Sequence, residues 1–139
     1  MWPDSVERIA AFLRASGTEG RLEELLPGAE APPGLELRAL PFDCEGRTVV
    51  GLVPSVRTLD RKKLAAAAGC GDLQTVAGPA GFPYQGAFVF LDRTALGAST
   101  VWLELEPPRH FLGLAPSQLL RLTRSKTADL LAENQNGGG

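Results

Sequence analysis

Apolar residues recur at helical spacing over residues 4 to 16, where Val6, Ile9, Ala10 and Leu13 share one face. Asp4 with Glu7 three positions later has the form of a capping box, and Gly17 is a natural stop. The period then changes. "RLEELLPGAEAPPG", 21 to 34, predicts a short strand followed by a proline- and glycine-rich loop. "LELRALPF", 35 to 42, begins by alternating apolar and polar, as a half-buried strand does. A turn over Asp43 to Gly46 leads to the β-branched strand "RTVVGLVP", 47 to 54, and the two strands predict a hairpin. "LDRKKLAAAAG", 59 to 69, reads as a helix with Asp60 near its start and Gly69 at its end.

The second half is strand-rich. "DLQTVA", 72 to 77, is a short strand, and the loop "AGPAGFPYQG" leads into the strand "GAFVFLD", 86 to 92. "STVWLELE", 99 to 106, and "HFLGLA" are further strands. Pro116 opens the helix "PSQLLRLT", a last helix is predicted over 125 to 133, and "NQNGGG" reads as a disordered tail. Helix first, strands with one helix in the middle and helices last predict one mixed α/β (α+β) domain over residues 1 to 133.

Composition narrows the function classes. With 14 basic and 16 acidic residues the net charge is -2, which argues against DNA binding and against tight non-specific nucleic-acid binding. A local basic face that meets an RNA end stays open. Cys44 and Cys70 lie in no C-x-x-C pair, and the single histidine, His110, does not complete a zinc site. The expectation is two reduced thiols, no metal and no cofactor. The N-terminus lacks the form of a signal peptide and no apolar run is long enough for a membrane span. A cytoplasmic protein is expected.

The usual catalytic sets are missing. There is no Walker A loop and no G-x-S-x-G elbow, and His110 reads as structural. Glu104 and Glu106, two apart on a predicted strand, share a face, as a pair for acid/base work would and as two solvated charges would. Arg61, Lys62 and Lys63 form a small basic cluster, either a solvated face or a nucleic-acid contact. Arg38 sits between leucines on a strand, facing solvent or bordering a pocket. The glycines of the loop at 77 to 86 leave room for a ligand to approach the main chain, but composition alone favours a plain connection.

Three stretches in order, "VGLVPSVRTLDRKKLAAAAG", "FVFLDRTALGASTVWLELE" and "LGLAPSQLLRLTRSKTADLL", resemble the YbaK family and the editing domain of prolyl-tRNA synthetases. The resemblance runs over about residues 35 to 133. It implies a central mixed, barrel-like sheet flanked by helices, and hydrolysis of the ester joining a wrong, small amino acid to a tRNA 3′ end. The family's strand lysine falls on Arg38, which keeps the charge but has a planar fork. The family's glycine/proline loop falls on "AGFPYQG", which makes Gly81, Pro83 and Gly86 its nearest equivalents. Glu106 falls where the family keeps a small residue.

Two readings follow. In the first, the chain is a freestanding aminoacyl-tRNA deacylase acting on small residues such as alanine or cysteine on tRNA for proline. Arg38 and Gly81 are then catalytic, while Phe82, Pro83, Tyr84, Gly86 and Glu106 bind substrate. In the second, the fold is kept as a binding module for an aminoacyl-tRNA end, a nucleotide or a protein.

Overall fold

A computed structural model describes residues 2–78 and 80–133. Helix α1 spans Asp4–Ala15, followed by strand β1, Arg21–Glu24. Strands β2, Leu35–Cys44, and β3, Arg47–Pro54, form an antiparallel hairpin. Helix α2, Arg61–Ala68, precedes the short β4, Gln74–Thr75. Then come β5, Phe88–Asp92, a 3-10 turn at Arg93–Gly97, β6, Val101–Leu105, and β7, His110–Leu114. Helix α3, Pro116–Thr123, leads into β8, Lys126–Ala128. The strands join in one mixed sheet in the order β1-β7-β6-β2-β3-β5-β8, with β4 also paired to β2.

The central strands are buried on both faces, which explains their nearly unbroken apolar sequence. On β3 and β5, Val50, Leu52, Val89 and Leu91 pack on one side with Leu13 of α1 and Leu119 of α3. Val49, Val53 and Phe90 pack on the other side with Leu64 of α2. The mixed architecture predicted from sequence is therefore present.

Several local expectations are corrected. The first helix has no capping box: Pro3 is its N-cap, no side chain caps it, and Asp4 already lies in the first turn. The β2–β3 turn is tighter than predicted. Asp43 and Cys44 stay in the ladder, and only Glu45 and Gly46, with φ of 52° and 90°, make the turn. Positive φ at both central positions is the turn that matches strand twist. The strand predicted at 72 to 77 shrinks to two residues, and that at 99 to 106 ends at Leu105, which leaves Glu106 in the turn.

The last predicted helix, 125 to 133, does not form. Arg124 ends α3 in a left-handed conformation, and β8 then pairs in parallel with Phe90–Asp92. Leu130 and Leu131 are buried beneath α2, and the Asp60 N–H donates to the Leu130 carbonyl at 2.8 Å. Lys63 donates to the Leu131 carbonyl at 2.7 Å and meets Asp129 at 3.1 Å. Burial of two adjacent leucines and completion of an open sheet edge outweigh a weak helical preference. The tail at 134–139 lies outside the described residues.

The cysteines are also not free thiols: Cys44 and Cys70 are joined in a disulfide. The hairpin brings the end of β2 under the chain leaving α2, so two cysteines 26 positions apart meet in one buried cluster. No spacing motif announces that meeting. Closing a loop of this length stabilises by about 3.5 kcal/mol in the chain-entropy account. Reduction with dithiothreitol should lower the urea midpoint correspondingly, and Cys44→Ala/Cys70→Ala should show the lowered value with no further response to reductant.

Candidate functional site

The parallel pairing of β2 with β6 stops at Leu37–Leu103. Beyond it β2 follows β3 and β6 follows β7, so the two hairpins part. A cleft of about 170 Å³ lies at the parting, bordered by Arg38, Ala80, Tyr84, Glu104 and Glu106. A larger cleft of about 470 Å³ adjoins it and shares Ala80, Glu104 and Glu106. Its other walls are Gly81, Phe82, Pro83 and Gln85, and Ser5, Arg8, Ile9 and Phe12 along one face of α1.

The loop between them is tightly shaped. The Tyr84 N–H donates to the Gly81 carbonyl at 2.8 Å, closing a four-residue turn around a cis Phe82–Pro83 peptide. A second turn follows, with the Ala87 N–H donating to the Tyr84 carbonyl at 3.1 Å and Gly86 at φ 81°. Among the described residues, the N–H groups of Gly81 and Phe82 have no protein acceptor. A Cβ at Gly81 would meet no atom within 4 Å, whereas one at Gly113 would lie 2.6 Å from the Trp102 ring. The loop therefore leaves room at Gly81 for a ligand to approach the main chain.

Phe82 and Tyr84 belong to the core as much as to the cleft. Both are nearly fully buried, and their rings meet edge-to-face at 6.0 Å, with Phe12 edge-on to Phe82 at 5.9 Å. Burial pushes the Tyr84 phenol well above its ordinary pKa. The folded state thus holds its proton where the unfolded chain would release it. Stability from this group is complete below pH 10 and declines as pH rises above that value. Denaturant midpoints taken from pH 8 upward should fall more steeply for the protein than for Tyr84→Phe, Tyr84 being the one tyrosine in the chain.

The predicted site residues are only partly assembled. Gly81, Phe82, Pro83 and Glu106 border the larger cleft, and Arg38, Tyr84 and Glu106 the smaller. Gly86 borders neither. Arg38 stands opposite Val53, and its guanidinium donates to the Arg57 carbonyl at 3.0 Å. Its neighbours Leu37 and Ala39 pack in the cluster that holds Phe82 and Tyr84, while Arg38 between them is exposed and reaches the border of the smaller cleft.

Glu104 accepts from the Arg109 N–H at 2.9 Å, and the Glu106 carbonyl accepts from Ser5 Oγ at 2.7 Å. His110 is structural: its Nδ1 lies 2.9 Å from the Pro107 carbonyl, and Trp2 packs edge-on against its ring. Of the basic cluster, Arg61 bonds the Leu73 carbonyl and Lys63 the C-terminal segment, which leaves Lys62 to solvent. Three sulfur and carboxylate groups, Cys44, Glu45 and Cys70, lie close enough to hold a metal, but both sulfurs are spent on each other.

Helix α1 is the part of the site that the sequence reading missed. Arg8 places a cation on the larger cleft and, among the described residues, forms no ion pair. Ser5, Arg8, Ile9 and Phe12 follow helical spacing, but nothing in that spacing says which face meets a loop 70 residues away.

No protein-family model matches the sequence, and no curated protein matches it. Solved structures do. One, described as a "putative trans-editing enzyme for prolyl tRNA synthetase", superposes with a TM-score of 0.80 at 24% identity, over 96% of this chain and all of that one. A scaffold protein from computational grafting of linear epitopes gives 0.81 at 25% identity with the same coverage. A structure from Marinobacter aquaeolei described as a "Putative signal transduction protein" gives 0.72 at 17% identity, over 98% of this chain but 32% of its own. The resemblance drawn from residues 35 to 133 is borne out at the level of the fold, which is that of the editing-domain neighbour.

Proposed function

We propose that this chain is a freestanding trans-editing deacylase that hydrolyses the ester of a small amino acid, such as alanine or cysteine, on tRNA for proline. The observation that carries this reading is the Gly81–Tyr84 turn: among the described residues, two of its main-chain N–H groups have no protein acceptor, and it borders an open cleft. Such donors suit the oxyanion formed when water adds to an ester carbonyl. The C–O bond to the terminal ribose then breaks, freeing the amino acid and the ribose hydroxyl. Arg38, released from the Arg57 carbonyl, would orient the substrate. Phe82, Pro83 and Tyr84 shape the wall, and Gly86 gives the loop its second bend. The partner is the 3′ end of an aminoacyl-tRNA, met in the cytoplasm by a single domain. Among the described residues no helix is long and apolar enough to cross a membrane.

A second reading, a binding module without hydrolysis, draws on two observations: the Arg38 guanidinium is engaged by Arg57, and Glu104 and Glu106 both border the cleft. The deciding assay incubates the protein, in excess, with tRNA for proline charged with alanine, cysteine or serine. Loss of the ester above the uncatalysed rate supports the enzyme; no loss across the panel leaves the binding module. Arg38→Ala should abolish turnover in the first case and only weaken binding in the second.

A further inference from the structure

A groove of about 630 Å³ lies behind the Gly81–Gly86 loop and shares Phe12, Pro83 and Gln85 with the larger cleft. Arg121 and Arg124, at the end of α3, line it, and Phe88 lies at its border. Unlike the cleft, it has no acidic residue among its described lining. That is unexpected on a chain with more acidic than basic residues. Neither arginine forms an ion pair among the described residues; Arg121 bonds the neutral hydroxyl of Thr18. Phe88 is 51% exposed, and the guanidinium of Arg47 stands 5.1 Å from its ring centroid. The α3 dipole accounts for a cation near the helix end. It does not account for a third guanidinium from β3 or for an exposed aromatic ring beside it.

We propose that this groove carries the phosphate backbone of the RNA whose 3′ end enters the adjoining cleft, with Arg47, Arg121 and Arg124 as the phosphate contacts. Guanidinium forks match phosphate oxygens in pairs, and a base can lie on the exposed Phe88 ring beside Arg47. The inference rests on the deacylase reading for what the RNA is, but not for whether it binds.

The test uses a short RNA hairpin ending in an uncharged CCA-3′ strand, followed by fluorescence anisotropy between about 50 and about 200 mM salt. Arg124→Asn suits the left-handed backbone at that position, where φ is 54°. Arg47→Gln removes an exposed charge, and Arg121→Gln completes the set. Each variant should weaken binding and reduce the log–log salt slope by about one. Arg124→Lys should retain most of the affinity. Because Arg121→Gln also loses the Thr18 bond, the Arg47→Gln/Arg124→Asn pair decides the matter if the triple variant melts early. An unchanged affinity and slope in that pair overturns the proposal, as does a wild type with no salt-dependent binding. Since the probe carries no amino acid, the two readings fail separately. Salt-dependent binding without ester hydrolysis removes the enzyme and leaves the groove. Hydrolysis with a KM unmoved by the pair removes the groove and leaves the enzyme.

Discussion

Asp92→Ala is expected to cost about 3 kcal/mol, as a thermal midpoint lowered by roughly 10 °C. The Asp92 side chain is fully buried at the end of β5. One oxygen accepts from the Thr94 N–H at 3.0 Å and from the Thr94 hydroxyl, which starts the 3-10 turn. The other accepts from the Leu130 N–H at 2.9 Å, which fixes the segment after β8. Alanine leaves the buried Leu130 N–H without an acceptor, at about 1–3 kcal/mol, and also removes the bonds that hold the Thr94 turn. Thr94→Ala removes only the local bonds and should cost distinctly less. Equal losses from the two variants, measured by urea unfolding, would contradict this account of Asp92 as the tie between distant segments.

Gly81→Val is expected to leave stability almost unchanged while reducing ester hydrolysis about a hundredfold. The added side chain meets no described protein atom within 4 Å of its Cβ, so folding meets little resistance. The same open space is where the proposed substrate carbonyl would approach the loop. Displacing a reacting group by about 1 Å can cost about a hundredfold in rate. The check pairs a melting curve with the deacylation assay. A variant that melts normally and turns over normally would move the site away from this turn.

Most of the fold was legible because its signals are local. β3 and α3 occur at their predicted limits, and α2 starts just after Asp60, which caps it through the Lys62 and Lys63 N–H groups. The errors fall where a distant partner decides. Residues 125 to 133 form no helix because β5 needs a neighbour and Asp92 needs Leu130. The Cys44–Cys70 bond depends on how a hairpin folds under a helix. The candidate site was half legible for the same reason. The loop could be read from its glycines and prolines, but the direction of Arg38 depends on strand parity and on the Arg57 carbonyl. The contribution of α1 depends on a contact across the whole chain.

The position of β8 bears on how the chain is made. β5 gains its outer partner only from Lys126–Ala128, beyond β6, β7 and α3 in the chain. During synthesis the ribosome must release residues through Leu130 before that edge is covered and Asp92 finds the Leu130 N–H. A nascent chain halted soon after Arg124 would leave Phe90 and Leu91 on an open strand edge, a surface that recruits other strands.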